Sequence, residues 1–299
     1  PFFDYVEFRI ITDASARVMN LESGTVNVAL DPATGQVPMF EGNPKFQIIN
    51  YPTTNITTLY LNCTKEPFND VKVRQAIALA LDYEANLEVA ANGYGTISDS
   101  FLPKNSSAYV APDGSYTNYY HYDVQKAREI LAQSNYPNGF SFELLYMEGA
   151  TFQAYAELIQ NQLDQIGIKV TPVQTASTAF YELLSAGNFQ AEIVNSSNPD
   201  PAIQLKFFDH RVGFADVRGG TGWKGPDELD ALIDQANTTI DSAARKEIYA
   251  KIAAIINENC PAIPLYSPNK VCLADADIAG IKLTEFNDID LSKAYRVSK

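Results

Sequence analysis

Two short polar runs carry the side chains best suited to gripping a small molecule. Met147-Glu148-Gly149-Ala150 closes one apolar run, and Asn195-Ser196-Ser197-Asn198-Pro199-Asp200-Pro201 closes another. In α/β sheets, ligands gather beyond the carboxyl ends of strands, and both runs fall there if the apolar stretches before them are strands. Asn195, Ser196, Ser197 and Asn198 suit recognition of hydroxyl or amide groups. Met147, Glu148 and Asp200 complete the candidate set. Trp223, the only tryptophan, follows Gly219-Gly220-Thr221-Gly222. A loop aromatic on a rigid scaffold can line a site. Phe207, Phe208 and Phe214 could supply an apolar wall nearby. Plainer readings stand beside these: a solvated Asn/Ser turn, and Trp223 as the core anchor of the next helix.

Catalytic chemistry has little to stand on. The chain holds no Gly-x-Ser-x-Gly elbow. Its two histidines, His121 and His210, are far apart in sequence, so a His-activated nucleophile would have to be assembled by the fold. Glu143 and Glu148 flank a strand end and Asp227, Glu228 and Asp230 cluster, which leaves a carboxylate pair open, though surface acids are commoner. The glycine-rich loop has no strand before it and no Lys-Ser/Thr after it, so it reads as a flexible loop and not a phosphate cradle. Cys63, Cys260 and Cys272 show neither CxxC nor pairing with His at metal spacing. No catalytic residue, metal or cofactor is therefore expected. Cys260 and Cys272 could close a loop around Pro261–Pro268 in an oxidising compartment, or be two small buried hydrophobes.

The formal net charge of -14 disfavours phosphate backbones and anionic lipid, so no nucleic-acid partner is expected. With 46% hydrophobic residues over 299 positions a sizeable core is available. No apolar run reaches the roughly 18 residues of a membrane span. The chain opens on Pro1-Phe2-Phe3-Asp4-Tyr5, without a visible export signal.

The elements that would position these residues alternate. Tyr5–Ile11 reads as a strand, then comes a short helix capped by Asp13 and carrying Val18 and Leu21, then strand Val26–Leu30. Residues 31–43 read as a loop. Gln47–Tyr51 and Thr57–Asn62 are strand-like, and Asp70–Ala90 reads as one helix, with Arg74 off its apolar face. An irregular excursion fills 93–121. Helix Val124–Gln133, strand Phe140–Met147, helix Phe152–Ile166, strand Ile168–Thr175, helix Ala179–Ala186 and strand Gln190–Asn195 follow. That alternation argues an α/β layer structure. Helices Asp227–Asn237 and Ser242–Glu258 precede two short strands, Ile263–Tyr266 and Val271–Ala274, and an extended tail.

The run Pro67-Phe68-Asn69-Asp70-Val71-Lys72-Val73-Arg74-Gln75-Ala76 through Leu81-Asp82 closely resembles a segment of the family 5 solute-binding proteins of ABC importers. So do Ser23-Gly24-Thr25-Val26-Asn27-Val28-Ala29, Tyr136-Pro137-Asn138-Gly139-Phe140, Ile166-Gly167-Ile168 and Pro261-Ala262-Ile263-Pro264-Leu265, in the family's order. The resemblance implies a type II periplasmic-binding-protein-like α/β fold with one complete lobe and part of the other. Residues 1–54 and 268–299 would belong to the partial N-terminal lobe and 55–267 would be the C-terminal lobe. Hinge strands would fall near Asn55–Leu59 and Leu265–Pro268. It implies a C-terminal fragment of an extracytoplasmic monomer, in the periplasm or lipid-anchored at the cell surface. That protein would capture an oligopeptide or related solute by hinge closure and deliver it to a membrane permease. Alternatives within the resemblance are a sugar-binding member or a chemoreceptor protein of the same fold. Asn195–Pro201 resembles the family's ligand segment, keeping Asp200-Pro201 but with Val194 at its aromatic position and Ser197 at its acidic one. That Asp often pairs with a peptide's α-ammonium, and Ser197 cannot.

Overall fold

Aspartates open six of the described helices. Residues 2–197, 200–284 and 288–297 are described in this computed structural model. The helices are α1 (Ala14–Glu22), α2 (Val71–Ala80), α3 (Tyr83–Ala91), α4 (Val124–Leu131), α5 (Ala150–Asp164), α6 (Ser177–Ser185), α7 (Pro201–Leu205), α8 (Phe214–Val217), α9 (Asp227–Thr238) and α10 (Ser242–Asn259). The carboxylates of Asp13, Asp70, Asp82, Asp123, Asp200 and Asp241 accept first-turn N–H groups of α1, α2, α3, α4, α7 and α10. Each satisfies a donor that the helix itself cannot.

The segment expected as one helix over 70–90 is two. Leu81 turns extended (ψ 124°) and Asp82 caps a fresh helix by accepting from the Ala85 N–H at 3.0 Å. Arg74, expected off the buried face, is itself buried at 2% exposure. Its guanidinium donates to the Asn259 carbonyl at 2.9 Å and the Phe68 carbonyl at 2.8 Å. Asn259 is the last residue of α10, so the cation sits where the helix dipole is negative.

The strands are β1 (Val28–Leu30), β2 (Phe46–Pro52), β3 (Asn55–Leu61), β4 (Gly95–Ile97), β5 (Ser141–Met147), β6 (Lys169–Thr175), β7 (Ala191–Ser197), β8 (Ala262–Asp275), β9 (Ile278–Ala279), β10 (Lys282–Leu283), β11 (Ile289–Asp290) and β12 (Tyr295–Arg296). The main sheet runs β1-β8-β3-β7-β5-β6, with β2 and β4 also paired to β8. β5 is parallel to β6 and β7, whereas β3 is antiparallel to β7 and β8. The fold is mixed α/β.

β8 corrects the expectation of two short strands. Its first half pairs with β3 and β4 and its second half with β1 and β2, so the ladder carries straight through Ser267–Asn269. The same continuity removes the Cys260–Cys272 disulfide. At about 3.3 Å per residue, the extended run from Ala262 to Cys272 holds the thiols about 30 Å apart, far beyond disulfide reach. All three cysteines are free and buried.

Two hydrophobic clusters form. The large one packs helices against β3, β5, β6, β7 and the first half of β8, around Leu59, Ile77, Ile159, Phe180, Ile193 and Ile252. The small one gathers Val18, Leu21, Ala29, Val37, Phe40, Val271 and Leu273. The stretch 31–43, expected as a loop, contributes Val37 and Phe40 from a 3-10 helix (Thr34–Phe40). Tyr5–Ile11, expected as a strand, joins no ladder among the described residues. Phe8 and Ile10 are 71% and 95% exposed.

Candidate functional site

One edge of the main sheet collects the features a ligand could use. The parallel strands β5, β6 and β7 all end there, at Met147, Thr175 and Ser197. β3 starts there, because Asn55 pairs with Ser197 and Thr57 with Asn195. Tyr266 of β8 pairs with Thr57. Helices α5 and α6 start beyond this edge without side-chain caps, so their first-turn N–H groups leave a partial positive charge there. Two chain crossings lie beside it, the β2–β3 link and the middle of β8. The Thr53 hydroxyl stitches them by donating to the Pro268 carbonyl at 2.7 Å.

The residues expected at the site separate by sheet face. Asn195 and Ser197 are exposed at the edge, on the face shared with Asn55 and Thr57. Ser196 points to the opposite face, is 9% exposed, and donates to Gln204 Oε1 at 3.3 Å. Asn198 lies outside the described residues. Met147 is half-buried and Glu148 is exposed, and the Glu148 N–H donates to the Thr175 carbonyl at 3.2 Å. Asp200 is occupied structurally. It caps α7 and lies 3.6 Å from the Arg245 guanidinium.

Trp223 does not reach this edge. It is 8% exposed within the large core and packs over Gly225. Its glycine-rich loop is tied to the far end of β3, where the Cys63 N–H donates to the Thr221 carbonyl at 2.8 Å. Core anchoring is therefore the reading that holds. Phe207 stacks on Tyr60, and Phe208 is buried beside Phe101. These rings are core and not a pocket wall.

Sequence reasoning missed Asn55 as a site candidate. It is 9% exposed, and its Oδ1 has no hydrogen-bond partner, an unusual state for a buried acceptor. It also missed Glu192, 1% exposed in β7 beneath the glycine-rich loop. Burial pushes that carboxyl well above its ordinary range, against one hydrogen bond from the Gly220 N–H. The available signal was an acid inside the apolar run Ala191–Val194.

One metal-like group exists among the described residues. Ligand atoms of Asp209, His210 and Asp230 lie within 4.8 Å of one another. Arg211 already holds Asp209 through both carboxylate oxygens, each at 2.9 Å. Burial raises the Asp209 pKa, but those bonds outweigh it and hold the group below its usual value. A divalent cation would have to displace a guanidinium, so the group reads as an ion-pair network.

A profile of the bacterial extracellular solute-binding proteins, family 5 (middle region), matches residues 1–215. The chain belongs to this family. Family 5 proteins bind solutes outside the cytoplasm, as the resemblance implied. Heme-binding protein A of Haemophilus influenzae is 28% identical over 270 residues, covering 88% of this chain and 48% of that protein. The glutathione-binding protein GsiB of Escherichia coli is 27% identical, covering 97% of this chain and 58% of that protein. The oligopeptide-binding protein AppA of Bacillus subtilis, solved with a nonapeptide, superposes with TM-score 0.76 at 26% identity, over 97% of this chain and 60% of that one. The chain thus spans about half the length of the curated relatives it matches. Among the described residues no helix is long and apolar enough to cross a membrane.

Proposed function

We propose that this chain forms one complete lobe, 55–267, and part of a second, 1–54 with 268–299, of a receptor that captures a solute for an ABC importer. Two separate hydrophobic clusters support that division. So does β8, whose halves pair with different sets of strands. The crossings at Thr53–Asn55 and Ser267–Asn269 would be the hinge. The smaller part carries a groove of about 430 Å³ lined by Phe3, Tyr5, Phe8, Ile11, Ile278 and Ile289. An open apolar surface of that kind fits a lobe completed by further polypeptide.

The observation that carries the ligand reading is the meeting of three strand ends with Asn55 beside the hinge. Asn195, Ser197 and Asn55 offer uncharged donors and acceptors, and Asp200 is spent on α7 and Arg245. A solute held here is gripped through hydroxyl, amide or carboxylate groups, and a free α-ammonium is not its main anchor. Closure delivers it to a membrane permease. Micromolar affinity needs about -8 kcal/mol, more than one lobe face supplies.

Isothermal titration of the complete two-lobed receptor with alanine tripeptide and with its N-acetylated form tests the anchor. Acetylation should leave binding unchanged. Ser197→Asp should not weaken a cationic peptide and should weaken an anionic one on the order of tenfold through like-charge repulsion. Tight binding of the free tripeptide that acetylation abolishes would show that another acid holds the ammonium.

A further inference from the structure

The sheet face turned away from Asn195 and Ser197 carries an unusual row of buried polar groups. Register puts Ile56 opposite Ser196, Thr58 opposite Val194 and Tyr60 opposite Glu192, all on that face. Tyr60 is 0% exposed, Gln204 1%, Glu192 1% and Ser196 9%. Gln204, from α7, joins two of them. Its Nε2 donates to the Tyr60 hydroxyl at 3.1 Å and its Oε1 accepts from the Ser196 hydroxyl at 3.3 Å. At the other end, Glu192 Oε1 accepts from the Gly220 N–H at 3.3 Å. Only glycine fits above it, since a Cβ at Gly219 would stand 2.4 Å from that oxygen. A second tie runs beside the row. Phe207, whose ring stacks on Tyr60, accepts from the Thr221 N–H at 3.0 Å.

Burying such groups costs free energy unless they are hydrogen-bonded. Ser196, Gln204 and Tyr60 bond one another, whereas Glu192 is held by the Gly220 N–H and its Oε2 has no partner. Apolar side chains would fill the space without that cost. What the row supplies is a fixed relation. A slip of β7 by one residue would turn Ser196 out and break the tie to Gln204. We propose that Gln204 and Tyr60 are positioning residues, which hold the strand end 195–197 and the glycine-rich loop 219–222 in one coupled arrangement. The inference rests on the proposed ligand edge for its functional meaning. The edge that would grip a solute is set from behind, and its state is transmitted to the loop at the far end of β3.

Hydrogen exchange of the ligand-free protein tests the coupling. In Tyr60→Phe and in Gln204→Met, amides of 195–197 and of 219–222 should both exchange about tenfold faster. The double variant should be no faster than either single one, because both remove the same link. Ile252→Val, a core change in α10, should shift neither segment selectively. A rise in only one segment, additive effects in the double variant, or uniform loosening overturns the proposal. If Tyr60→Phe fails to fold, Gln204→Met gives the same reading. No solute enters the measurement. Failure here therefore leaves the ligand reading untouched, and failure of the tripeptide titration leaves this coupling untouched.

Discussion

The two ends of β7 treat polar side chains in opposite ways. At the Ser197 end, the side chains of Asn195 and Ser197 stand exposed beside the chain crossings, while their backbones pair with β3. At the Ala191 end, Glu192 is sealed beneath a loop of glycines and has one backbone donor. The open end leaves its hydrogen-bonding capacity exposed. The closed end uses a carboxyl as a packing piece, and its burial favours the neutral form. Seven residues of one strand thus show that a polar residue's role is set by what faces it.

The sharpest way to break the closed end is Gly219→Ala. The backbone there has φ +130°, and the added methyl would meet Glu192 Oε1 at 2.4 Å. Because the obstacle is a buried side chain held in the core, the clash has no cheap relief. We expect a loss of about 3 kcal/mol from overpacking and backbone strain together, seen as a lower urea midpoint with an unchanged slope. A loss under about 1 kcal/mol would mean that the loop is not clamped onto the carboxyl.

Glu192→Gln probes the same end without changing its shape. The folded-state pKa lies well above the ordinary 4.5, chiefly through burial. The native state therefore keeps a proton that the unfolded chain releases. Stability should fall as pH rises from about 4.5 toward the folded pKa, because the unfolded state binds fewer protons there. Glutamine carries no such linkage. The variant should match the wild type near pH 4 and exceed it increasingly toward alkaline pH in urea titrations. Equal pH slopes in the two proteins would show that Glu192 ionises freely in the fold.

Much of this contrast could not be read in the sequence. The helix and strand alternation from Val124 to Ser197 was legible, because each element carries its own period and its own stop, as at Gly167 and Gly187. The capped start of α2 at Asp70 was legible for the same reason. What failed depended on partners distant in the chain. Arg74 looks solvent-facing until Asn259, far along the chain, arrives to accept its guanidinium. Tyr5–Ile11 alternates like a strand but finds no partner among the described residues. β8 looks like two strands because its two halves pair with different sets of neighbours. The sequence placed Asn195 and Ser197 at an exposed strand end, and they stand there, since a strand end is a local property. Ser196 and Trp223 were not separated from them, because which face is covered depends on α7 and the loop after α8.

The smallest expected effect isolates that last point, with one substitution made at two neighbouring positions. Ser197→Ala removes a hydroxyl from the exposed face, so stability should stay within about 0.5 kcal/mol of the wild type. Ser196→Ala removes a hydroxyl that donates to Gln204 on the buried face. That should cost about 1 kcal/mol, the ordinary net worth of a buried hydrogen bond. Solute binding should divide the other way. Ser197→Ala removes a direct donor and acceptor at the edge, whereas Ser196→Ala acts only through the position of the strand. Urea titrations of both variants beside a titration with a binding solute give the two orders. If Ser197→Ala proves the more destabilising, the exposed face is being held by contacts within the chain. The open end of β7 would then be as closed as the other.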